Sequence, residues 1–119
     1  MKTNQITKSD FLQKISDYET NPTEWKYKGK KPCIVDFYAD WCGPSRQISS
    51  VLNELAQEYE GKIDIYTVNT EQEEDLTIAF GIRTIPSFLF CPVDKRPKIA
   101  RGSMNKAEFQ KAIKDILFE

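Results

Sequence analysis

Cys33-Ile34-Val35-Asp36-Phe37-Tyr38-Ala39-Asp40-Trp41-Cys42-Gly43-Pro44-Ser45 holds the most information in this chain. Its first seven residues are almost continuously apolar, as a central strand covered on both faces requires. Asp36 is the exception. A carboxylate amid apolar neighbours is costly unless it is paired or protonated, so its presence asks for a chemical reason. Pro44 suits the first turn of a helix, where its missing N–H would have had no partner. Cys42 therefore stands between a strand and a helix, where unpaired N–H groups and the helix dipole favour its thiolate. A Cys-x-x-Cys pair at such a place lets one thiol attack a disulfide and the other release the product. Here the second place holds Ser45, whose hydroxyl is essentially un-ionised at neutral pH and is no nucleophile toward sulfur.

Beyond the turn, Ile48, Val51, Leu52, Leu55 and Tyr59 recur at helical spacing, and Gly61 reads as a left-handed cap. Residues 63–68 read as the next strand, and 71–80 as a short helix stopped by Gly81. Residues 87–91 and 98–101 read as two strands joined by a turn with Pro92, Asp94 and Pro97. Asn105 followed three residues later by Glu108 reads as a capping-box start for a last helix that buries Phe109, Ala112, Ile113, Ile116 and Leu117. On the N-terminal side, a first helix is expected over 9–19, capped by Ser9 and burying Phe11, Ile15 and Tyr18. A turn-rich loop follows over 20–32. Strands separated by helices imply parallel crossovers, and the tight final pair implies an antiparallel hairpin. The expectation is one α/β domain over 1–119, with the core and active site in 33–119 and a mixed sheet carrying helices on both faces.

The 119 residues are 39% apolar and 29% charged, the composition of an ordinary globular domain. Seventeen basic against eighteen acidic residues give a net charge of −1, which offers no electrostatic case for nucleic acid or an anionic membrane. Lys26, Lys28, Lys30 and Lys31 alternate with Trp25 and Tyr27, read as a solvated loop with aromatics under lysine stems. No stretch has transmembrane character, and the polar N-terminus lacks the apolar core of an export signal. The expected location is the cytoplasm, the alternative being an exported protein whose leader is absent. Cys33, Cys42 and Cys91 make an odd count, at spacings that match no zinc arrangement, and the chain has no histidine. No metal or cofactor is expected. Cys33 and Cys91, inside apolar runs, read as small buried hydrophobes.

Three motifs in order resemble the thioredoxin family. They are Asp36-Phe37-Tyr38-Ala39-Asp40-Trp41-Cys42-Gly43-Pro44, then Gly81-Ile82-Arg83-Thr84-Ile85-Pro86-Ser87, and Gly102 ahead of the last helix. The resemblance implies a thioredoxin fold with Cys42 as nucleophile, Ser45 in the place of the resolving cysteine and Asp36 assisting proton transfer. It also implies that the Ile85–Pro86 bond is cis beside the nucleophile. Trp41, Gly43, Pro44, Ile85, Pro86 and Gly102 then bind substrate, with Trp41, Gly81 and Gly102 forming a flat apolar rim. The family's lysine near the buried aspartate has no counterpart, since Thr67 occupies the matching place on the next strand.

The expected function is protein thiol–disulfide exchange in which Cys42 forms mixed disulfides without efficient turnover. The partners are disulfide-bearing proteins and, for a dithiol form, a thioredoxin-reductase-type electron donor; the chain is expected to be a monomer. A non-catalytic peptide-binding module or holdase is the alternative. A monothiol glutaredoxin-like protein is a further one, opposed by Trp41, Pro44 and the lack of a diglycine clamp near the last helix.

Overall fold

The computed structural model describes residues 3–41 and 43–119, with the backbone alone for 44–46. In chain order the elements are β1 (Asn4–Gln5), α1 (Lys8–Lys14), β2 (Cys33–Tyr38), α2 (Gly43–Glu58), β3 (Asp64–Asn69), α3 (Glu74–Ala79), β4 (Ser87–Cys91), β5 (Lys98–Arg101) and α4 (Lys106–Ala112). A π-helical turn over Ile113–Leu117 continues α4. The strands form one sheet in the order β1-β3-β2-β4-β5. β2 runs parallel to β3 and antiparallel to β4, so the sheet is mixed, and β5 closes the hairpin with β4.

Alternation along the strands divides the core in two. Ile34, Ile65, Phe88 and Phe90 face one side, where Ile48, Leu52 and Leu55 of α2 and Phe109 of α4 cover them. Cys33, Val35, Phe37, Val68, Leu89 and Cys91 face the other, under Phe11 of α1 and Leu76 of α3. Both β2 and β4 are therefore buried on both faces; every residue of β4 is buried, and Pro86 and Pro92 bound it.

Several boundaries differ from the sequence expectation, each for a local reason. The first helix starts at Lys8, because Thr7 and not Ser9 is its cap. Thr7 Oγ1 accepts the Asp10 N–H at 3.2 Å while Asp10 Oδ2 accepts the Thr7 N–H at 3.0 Å. It ends at Lys14 rather than 19, where the N–H groups of Ile15 and Ser16 both reach Phe11 O and close the last turn. α3 begins at Glu74 rather than Glu71, since the Asn69 side chain accepts the N–H groups of Glu71 and Gln72 and holds that segment as a turn. β1 was not expected: its two exposed polar residues pair with Tyr66 and Thr67 through backbone alone. The loop over 20–32 is not simply solvated. Trp25 and Tyr27 are half-buried and pack on the second core, Trp25 with its ring 6.4 Å from Phe80.

Candidate functional site

The register brings one end of each inner element to a common edge of the sheet. β2 pairs with β3 up to Tyr38 and Asn69, and β4 begins beside Phe37 at Ser87. The chain leaving β2 crosses Ala39, Asp40 and Trp41 and enters α2 at Gly43. On the β4 side, the Ile85–Pro86 peptide is cis. Gly102, at the end of β5, donates its N–H to Pro86 O at 2.9 Å, so the loop before β4 and the exit from β5 are tied together. Gly102 has φ +95°, a conformation a side chain would strain. Ser87 Oγ donates to Thr84 O at 2.6 Å and fixes the approach to the proline.

The edge is open. Trp41 is 70% exposed, and among the described residues a Cβ on Gly43 or Gly102 would meet nothing within 4 Å. Pro86 is buried and Ile85 half-buried. Cys42, the expected nucleophile, lies outside the described residues, as do the side chains of Pro44 and Ser45. The described backbone sets Pro44 and Ser45 in the first turn of α2. Gly81, expected at the rim, ends α3 with φ +63° and an N–H to Ile78 O.

Asp36 lies two residues before the end of β2, on the face that α2 covers. Its residue is 3% exposed, and its Oδ1 has no hydrogen-bond partner among the described residues. Its strand neighbours are Thr67 and Phe88, neither of which is a cation. Burial alone therefore pushes the carboxyl up to about 7. This carboxyl lies beneath the helix that starts one residue after Cys42.

Asn69 is a contributor the sequence reading missed. It is buried at the end of β3, its side chain accepts two N–H groups of the following turn, and its Nδ2 donates to Asp40 Oδ2 at 3.4 Å. Thr70 adds backbone and hydroxyl bonds to Tyr38 O at 2.9 and 3.0 Å. Together they brace the segment leading into Trp41. An asparagine closing an apolar strand was the available signal.

Exposed Trp41 and Gly43 at the head of α2, a buried carboxyl on β2 and a cis-proline loop before β4 share this edge of the sheet, as the thioredoxin resemblance leads one to expect. The comparisons with known proteins agree. The thioredoxin family model matches residues 3–115. A thioredoxin of Borreliella burgdorferi is 42% identical over 92% of this chain and 93% of its own length. Thioredoxin 1 of a Nostoc species is 32% identical over 92% of each chain. The crystal structure of a chloroplastic thioredoxin z superposes with a TM-score of 0.78 at 20% identity, covering 98% of this chain and 95% of that one, which speaks to fold. The chain belongs to the thioredoxin family and is an oxidoreductase of that kind. Thioredoxins as a family act on disulfide-bearing proteins and are reduced by thioredoxin reductase.

Proposed function

We propose that this protein is a one-thiol member of its family, which captures disulfide-bearing proteins through Cys42 and holds them as mixed disulfides. In this step the Cys42 thiolate attacks one sulfur of the substrate disulfide. A new S–S bond forms, the old one breaks, and the second substrate sulfur leaves as thiolate. Trp41, Gly43, Pro44, Ile85, Pro86 and Gly102 bind the incoming chain along the open edge. Asp36 serves as the nearby proton acceptor and donor.

The observation that carries this reading is the supply of sulfur. Ser45 stands where a resolving thiol would lie, and Cys33 and Cys91 are both fully buried at the other end of β2 and β4. Six residues of strand separate Cys33 from the edge, roughly 20 Å at the rise of a strand. A disulfide tolerates at most about 7 Å between Cα atoms. Neither buried cysteine can release what Cys42 has captured, so release falls to an external thiol in a reducing compartment such as the cytoplasm.

The test is incubation with a disulfide-bonded protein such as insulin, followed by separation without reductant. A covalent adduct that persists until dithiothreitol is added, and that Cys42→Ser abolishes, is the expected result. Rapid release of reduced substrate without added thiol would overturn it. Ser45→Cys is expected to convert capture into turnover with thioredoxin reductase; a folded Ser45→Cys chain that still fails to turn over would favour the non-catalytic binding module.

A further inference from the structure

The two cysteines away from the active-site turn are not scattered through the core. Cys33 opens β2, Cys91 closes β4, and the antiparallel register sets them directly opposite one another. Opposed residues leave a sheet on the same face, and both thiols are fully buried in the cluster beneath α1 and α3. Directly opposed residues in an antiparallel pair have Cα atoms roughly 4.5 or 5.5 Å apart. A disulfide accepts about 4.4–6.8 Å, so the strands need not separate or slide for the sulfurs to join.

We propose that Cys33 and Cys91 are a second redox couple of this protein, a cross-strand dithiol that a hydroperoxide oxidises to a disulfide. One thiol, as thiolate, attacks the terminal peroxide oxygen; the O–O bond breaks, leaving a sulfenic acid and an alcohol or water. The other thiol attacks the sulfenic sulfur, the S–S bond forms and water leaves. Two electrons pass from the two thiols to the peroxide, and both thiol protons end in the water and alcohol. Nothing in this sequence involves Cys42.

Tyr27 governs access. Segment 15–32 packs the Tyr27 ring against the buried cluster that holds the pair, and the Tyr27 hydroxyl donates to Lys31 O. The ring lies so close over Gly29 that a Cβ there would overlap it. Burial holds the Cys91 thiol well above its ordinary range, so the closed form is unreactive and oxidation follows opening of the segment.

The test exposes the full chain, and the chain with Cys42→Ser, to graded hydrogen peroxide, then denatures and alkylates it and maps tryptic peptides without reductant. The expected result in the Cys42→Ser chain is a monomer lighter by two hydrogens, and in the full chain the same internal link beside independent oxidation of Cys42. The Cys33 and Cys91 peptides are joined, their free thiols are lost in step, and dithiothreitol restores both. Gly29→Ala, which displaces the Tyr27 ring, is expected to speed the linkage severalfold. Loss of one of these two thiols without the other, oxidation of either ending at sulfinic acid, links between chains only, or both thiols still free after Met104 is oxidised would overturn the proposal. Cys33→Ala and Cys91→Ala should each abolish the link; if either fails to fold, the paired thiol count in the other chains decides.

Discussion

Asp36 keeps an ionisable group where hydrocarbon would pack better, and stability must register the conflict. In the unfolded chain an aspartate titrates near ~3.9, whereas in the fold burial raises Asp36 to about 7. The native state therefore binds this proton more tightly than the unfolded state does. The stability this provides is fully present below the unfolded value and is lost as pH climbs from about 4 to about 7. A shift of this size has a ceiling of about 4 kcal/mol, reduced by relaxation around the site. Asp36→Asn removes the titration. Urea unfolding at pH 5 and pH 8 is expected to show the variant gaining roughly 1–3 kcal/mol on the parent at the higher pH and much less at the lower. Equal differences at both pH values would mean that Asp36 is already ionised at pH 5. The aspartate was conspicuous in the sequence for its apolar flanks. Thr67 in the family's lysine place was legible too, whereas Phe88 as the partner on the other side needed the register.

Among the elements, those with their own local signals were legible and those built by distant partners were not. Asn105 and Glu108 form the reciprocal cap the sequence suggested, with bonds of 2.8 and 3.0 Å. Asn105→Ala is expected to cost about 1 kcal/mol, read as a lowered urea midpoint with unchanged slope. The equivalent box at Thr7 and Asp10 was hidden by Ser9, a residue of higher capping preference two positions later. β1 gives no hydropathy signal because its side chains are exposed and its pairing with β3 is through the backbone. The π-helical turn at Ile113–Leu117 was equally invisible, since its buried residues keep the spacing an α-helix would show. At the site, the turn, the proline loop and Gly102 were legible as motifs. The bracing by Asn69 was not, because it depends on how β3 ends beside Asp40.

Across the whole molecule, Phe80 joins the irregular segment 15–32 to the sheet. Its ring lies 5.1 Å from Phe11, 5.6 Å from Tyr18, 6.4 Å from Trp25 and 6.3 Å from Phe37, linking α1, the loop and β2. Phe80→Ala is expected to cost about 3 kcal/mol in urea unfolding and to loosen the loop more than the sheet. Faster hydrogen exchange at the Lys28 amide, which bonds Ile15 O at 2.8 Å, is the local readout. The wholly buried β4 has a different consequence, one that belongs to the unfolded chain. Ser87-Phe88-Leu89-Phe90-Cys91 is uncharged and apolar, the kind of segment that stacks into cross-β fibrils when released from its fold. Pro86 and Pro92 stand at its two ends. Neither can donate to an intermolecular ladder, so the sticky stretch is clipped to the strand itself. Pro92→Thr is expected to shorten the lag of thioflavin-positive fibril growth in mild denaturant, so the residues that frame a strand in the native sheet also act as gatekeepers against amyloid.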